Sequence, residues 1–137
     1  MTLVSACLAG VNCNYKGSSY KIDKVVELVE SGEAIKVCPE LLGGLTTPRI
    51  PVEIINGRAI RKDGEDVTEN FIKGAQKTLE FCKKHNCTKA IMKSNSPSCG
   101  CGLIYDGTFT GTTIPGDGIT VKLLKENGIE VISSEDV

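Results

Sequence analysis

The stretch KAIMKSNSPSCGCG, residues 89–102, changes character part-way along. KAIMK is a short apolar run of the length of a buried strand. Beyond it come Ser, Asn, Pro, Gly and two Cys, a composition that excludes regular structure and offers no apolar neighbours among which to bury thiols. The same transition occurs twice earlier in the chain: TLVSA (2–6) halts at CLAGVNCNYKGSS, and AIKVC (34–38) halts at PELLGGLTTPRIP, whose three prolines and adjacent glycines read as a loop. Each of the three strands thus gives way to a loop with a cysteine at its start or within it.

The segments between them decide how those strands are arranged. Apolar residues at 22, 25, 26, 28 and 29 fall at helical spacing before the stop signal SGE at 31–33. VEIINGRAI (52–60) sets Asn-Gly between two strand-like runs, the strongest short-range hairpin signal. DVTENFIKGAQKTLEFCKKHN (66–86) predicts the clearest helix, with Thr68 as N-cap, apolar positions at 71, 72, 75, 79 and 82, and Lys, Lys and His at its end. GDGITVKLLKENG (116–128) predicts a short helix and IEVIS (129–133) a last strand. The order β-α-β-hairpin-α-β-loop-α-β predicts an α/β domain over residues 1–137, with a mainly parallel sheet covered by helices on both faces, because parallel connections need crossovers.

Composition narrows the function. The 137-residue chain is 40% apolar and 24% charged with a net charge of −1, so it carries no basic face for DNA. Its N-terminus lacks a basic region followed by a long apolar run, which predicts neither signal peptide nor membrane span and places the protein in the cytoplasm. Seven cysteines are then anomalous, since thiols in a reducing compartment rarely pair and an odd number cannot all do so. Metal, cluster or catalytic chemistry is the class they imply. Aromatic residues are few, with three Tyr, three Phe and no Trp, which argues against a broad platform for single-stranded nucleic acid.

In open parallel sheets ligands bind outside the carboxyl ends of the strands. Cys7 follows the first strand, Cys38 ends the second and Cys99 lies just beyond the third, so a parallel sheet brings three thiols from distant parts of the sequence to one rim. Such a set suits either a zinc ion or an iron–sulfur cluster. In a [4Fe-4S] cluster three cysteines leave one iron open, a Lewis acid suited to a soft sulfur donor. A zinc-dependent hydrolase and a carrier that holds sulfur as a persulfide on Cys99 are the rival readings of the same residues.

VSACLAGVNCNYKG, VCPELLGGLTTPRIP, KDGEDVT, SPSCG and YDGTFTGTTIPGDGIT together resemble the thiouracil desulfidase family, across nearly the whole chain. The resemblance implies a Rossmann-like domain that holds a [4Fe-4S] cluster through Cys7, Cys38 and Cys99. It implies that the open iron takes the thiocarbonyl sulfur of a small thiolated pyrimidine or nucleotide, and that water replaces the sulfur, which leaves as hydrogen sulfide. Glu40 of CPE and Ser96 of SPSC are the catalytic side chains it implies. Some relatives carry a second domain, and the resemblance here covers the desulfidase domain alone.

The remaining candidates are read from their surroundings. Arg49 is expected to grip a phosphate or the uracil oxygen, and the amides of GTFTGTTIPGDG (107–118) to cradle a phosphate. Cys82 and Cys87 read as core packing and His85 as a residue that stabilises a helix end. Cys13 and Cys101 are open: either can serve beside the site or replace a ligand.

Overall fold

The computed structural model describes residues 1–137. Its central sheet has the order β2-β1-β5-β8, built from β1 (Thr2–Ser5), β2 (Ala34–Val37), β5 (Lys89–Met92) and β8 (Glu130–Ser133), with every neighbouring pair parallel. Alternation of side chains across a strand explains how both faces are covered. Leu3, Ala90 and Met92 point into one core with Val121 and Leu124 of α4 (Ile119–Glu126) and Cys82 of α3 (Thr68–Lys84). Val4 and Ile91, one residue out of phase, meet Val25 of α1 (Asp23–Glu30) and Leu8 in a second core. Leu3, Val4 and Met92 are fully buried, and each contributes about 1.5–3 kcal/mol of burial free energy.

The chain leaves β1 toward β2 on one side and returns to β5 on the other, so the sheet reverses its direction of growth between β1 and β5. Loops that diverge at such a point open a crevice at the strands' carboxyl ends. A hairpin flanks that crevice, with β3 (Val52–Ile55) antiparallel to β4 (Arg58–Arg61). Asn56 and Gly57 turn it at positive φ of 49° and 76°, the geometry that Asn-Gly favours. Val52, Ala59, Val67 and Phe71 join it to α3 in a third core.

Three sequence expectations are corrected. Pro39–Leu42, read as loop, is one turn of helix, α2, because Pro39 stands at its first position, where a missing N–H costs nothing. Residues 103–115, read as part of a loop, hold a second hairpin, β6 (Leu103–Tyr105) with β7 (Thr113–Pro115). Thr68 is the first residue of α3, not its cap: its hydroxyl accepts from the Ala59 N–H at 2.9 Å, while Asp66 accepts the Thr68 N–H at 2.9 Å. None of the helices is long and apolar enough to cross a membrane.

Candidate active site

Cys7 sits in the 3-10 turn Ala6–Ala9 that follows β1, Cys38 joins β2 to α2, and Cys99 lies in the loop after β5. All three line one cavity of about 440 Å³ at the carboxyl ends of the strands, within the range of about 300–1,000 Å³ usual for small-ligand sites. Cys13 lines it too, 2% exposed, and its backbone carbonyl accepts from the Cys38 thiol at 4.0 Å. The loop that carries Cys13 is shaped by Asn14, whose Oδ1 accepts the N–H groups of Lys16 and Ser18 at 3.0 and 2.8 Å.

α2 sets the depth of Cys38 and Glu40. It packs backbone to backbone on α3, where a Cβ on Gly74 would strike the Pro39 carbonyl and one on Gly43 the Asn70 carbonyl. Asn70 fixes the contact by donating from Nδ2 to the Gly43 carbonyl at 2.9 Å. Gly74→Ala therefore displaces the turn that aims Glu40.

Glu40 Oε1 accepts from Arg49 Nε at 3.0 Å, and the two side chains are 15% and 9% exposed. Burial raises the Glu40 carboxyl above its usual range, outweighing the pull of the Arg49 charge. Arg49 also donates to the Thr46 carbonyl, the Thr47 hydroxyl and the Cys13 carbonyl, the last at 2.9 Å. Four of its five N–H donors are thus taken up inside the protein. The expected fork on a phosphate or the uracil oxygen is corrected, because one N–H alone stays free: Arg49 holds Glu40 and ties the Cys13 loop to α2.

Ser96 Oγ accepts from the N–H groups of Ser98 and Cys99 at 3.1 and 2.9 Å, which folds the loop around Cys99 and leaves the hydroxyl hydrogen free to donate into the cavity. Burial pushes the Cys99 thiol up to about 12. Contact with Cys13, then burial, raises Cys38 as well. Cys13 stands at about 11, where Cys7 and burial more than offset the lowering by Cys38. Thiols that resist ionisation because they are crowded and buried are stabilised as thiolates by a cationic metal. A cubane cluster takes thiolates spread around it rather than converged on a single point, as three thiols from three strand ends are.

The model of the 2-thiouracil desulfurase family matches residues 2–136. The chain belongs to that family. The uncharacterized protein YbbK of Bacillus subtilis (strain 168) is 47% identical over an alignment of 147 positions, which spans 100% of this chain and 97% of YbbK. The solved structure of the [4Fe-4S]-dependent thiouracil desulfidase TudS is 40% identical with a TM-score of 0.95, covering 99% of this chain and 91% of that one.

Other residues of this 2-thiouracil desulfurase family member sort by their distance from the cavity. Cys82 and Cys87 are buried in the core beneath α3, and Cys101 turns its thiol to the Val131 carbonyl at 3.7 Å. His85 ends α3 with its ring 4.5 Å from that of Phe81. Five of the amides expected to cradle phosphate are committed elsewhere: Gly107 and Phe109 donate to Glu53, Thr108 to Asp106, Gly116 and Gly118 to backbone carbonyls.

The sequence reading missed the mouth of the cavity. Tyr15, Tyr20, Tyr105 and Phe109 line it, so four of the chain's six aromatic residues gather there. Lys16, Lys62 and Lys93 line it as well, and none pairs with a carboxylate. Lys93 Nζ lies 4.5 Å from the Tyr20 ring centre and donates to the Ser94 carbonyl at 3.0 Å. The signal was present as aromatic residues within NCNYKG and YDGTF, beside cysteine and glycine.

Proposed function

We propose that the protein hydrolyses the carbon–sulfur bond of a thiolated uracil, turning thiocarbonyl and water into carbonyl and hydrogen sulfide. Three thiols from the ends of three parallel strands on one cavity, beside a buried Glu–Arg pair, carry this reading. Family membership and the likeness to TudS, named as a [4Fe-4S]-dependent thiouracil desulfidase, support it. Cys7, Cys38 and Cys99 would hold a [4Fe-4S] cluster. Three protein ligands leave that cluster an open iron, which supplies a Lewis acid for the substrate's soft sulfur.

The chain's own residues supply the rest. Glu40 takes the proton of the attacking water: Arg49 fixes its Oε1, and burial raises its basicity above that of an ordinary carboxylate. The Ser96 hydroxyl donates to the substrate, because its oxygen is already held by two N–H groups and only its hydrogen is free. Aromatic side chains at the mouth take the faces of the pyrimidine. The three unpaired lysines favour a nucleotide over the free base, since an ammonium group is a general phosphate binder.

A persulfide carrier requires a reactive thiolate, whereas Cys99 is buried with its thiol near 12. Protein reconstituted anaerobically with iron and sulfide, incubated with 4-thiouridine monophosphate and with 4-thiouracil, is expected to bleach the thiocarbonyl absorbance and release one sulfide per uracil formed. Sulfide release undiminished in metal-free protein would overturn the role of the cluster in the reaction.

A further inference from the structure

We propose that Phe109 is the aromatic side chain that stacks on the substrate's pyrimidine ring, and that Glu53 is the positioning residue that presents it. This assignment rests on the reading of the cavity as a thiouracil site.

Phe109 has φ of +57°, a left-handed conformation that a bulky side chain adopts only under constraint. Glu53 on β3 supplies that constraint. It is 7% exposed and forms no ion pair, and its Oε1 accepts the N–H groups of Gly107 at 2.9 Å and Phe109 at 3.1 Å. A buried carboxylate without a counter-ion is costly, and here two backbone amides of one loop meet it. The loop is also pressed onto β3 at Gly107, where a Cβ would stand 3.0 Å from the Ile54 carbonyl oxygen.

The same turn is stiffened from within. Thr108 Oγ1 bonds to Asp106 and to Thr110 at 2.6 Å each, and Thr110 bonds to Thr112 at 3.0 Å. The other two phenylalanines are spent on packing: Phe71 is buried in the core under the first hairpin, and Phe81 packs against the main core and His85. Phe109 belongs to no core, is half-buried and lines the cavity. A strained backbone, a buried carboxylate devoted to it and an aromatic residue lining the cavity converge on one position. An aromatic face is the general recognition element for a planar base.

The chain contains no Trp, so Phe109→Trp in the cluster-loaded protein creates a single reporter. Its emission is expected to quench saturably with 4-thiouridine monophosphate and with uridine monophosphate, and not with ribose 5-phosphate. No quenching at nucleotide concentrations that saturate turnover overturns the stacking role. In the otherwise native protein, Phe109→Ala and Glu53→Ala are each expected to raise KM about tenfold, with kcat within threefold and iron content unchanged. The double variant should be no worse than either single one, because both remove the same contact. Glu53→Gln keeps a carbonyl acceptor and should restore KM.

A Glu53→Ala variant that loses kcat at unchanged KM would make Glu53 a participant in the chemistry and overturn the positioning role. An unchanged KM in Phe109→Ala, with native turnover intact, overturns stacking alone. Failure of the native protein to release sulfide, while uridine monophosphate still quenches the emission of the Phe109→Trp variant, counts against the desulfuration reading and leaves base stacking standing.

Discussion

Cysteines gather at both ends of the central sheet, and Cys99 of one group is as buried as Cys82 and Cys87 of the other and belongs to the same core, yet only the first group opens onto a cavity. At the carboxyl end Cys7, Cys13, Cys38 and Cys99 line a cavity beside Glu40, Arg49 and Ser96. Toward the other end Cys82, in the last turn of α3, and Cys87, just before β5, are packed among Leu3, Ala90 and Leu124. Burial pushes Cys82 to about 12, as it does Cys99. Burial and acidity therefore do not separate a candidate ligand from a core thiol. Position relative to the strand ends does, because only the carboxyl end opens a crevice into which polar side chains converge.

Exchanging residues between the two groups sharpens the contrast. Cys38→Ala is expected to lower bound iron and to reduce sulfide release to background, as measured by iron analysis beside a thiouracil assay. Cys82→Ala should keep iron and turnover at native levels and lower thermal stability, by about 1–2 kcal/mol for a small buried side chain. Equal loss of iron in both variants would erase the distinction between the two ends.

Within the cavity, Glu40→Gln should keep the iron and lower kcat about 10²- to 10⁴-fold, the span of a general base. Arg49→Ala leaves Glu40 buried without its partner and is expected to destabilise the fold by about 3–5 kcal/mol, read from denaturant midpoints. Ser96→Ala should have a smaller effect, with kcat down about tenfold and about 1 kcal/mol of stability lost, as the Ser98 and Cys99 amides lose their acceptor.

The smallest effect lies far from the cavity. Bonds from Arg58 and Thr68 hold the exposed Asp66 carboxyl well below its usual range. A depressed carboxylate contributes stability that is present above the unfolded-state pKa of about 3.9 and is lost as pH falls further. Asp66→Asn should therefore flatten the acid limb of a Tm–pH profile and leave sulfide release at pH 7 unchanged.

The same contrast explains what the sequence disclosed. TLVSA, AIKVC, KAIMK and IEVIS each form a strand because short apolar runs closed by Gly, Pro or Asn have few alternatives, and a parallel sheet then brings Cys7, Cys38 and Cys99 to one end. β6 and β7 escaped notice because three-residue strands separated by a Gly- and Thr-rich connection carry no period long enough to read. Arg49 was misjudged for a different reason. Its partners Glu40, Thr46, Thr47 and Cys13 are assembled by the fold of a proline-containing loop, and spacing does not encode which donors a guanidinium spends internally. The aromatic mouth was hidden because overall scarcity suggested little use for aromatic residues, while the fold concentrates those present at one place.

The central claim is that the carboxyl-end thiols hold an iron–sulfur cluster and the core thiols do not. Iron and acid-labile sulfide per chain, measured after anaerobic reconstitution, test it most directly when the native protein is set beside the Cys7, Cys38 and Cys99 triple alanine variant. About four irons and four sulfides in the native protein, with none in the variant, is the expected result. Zinc in place of iron, or iron retained by the variant, would contradict the account.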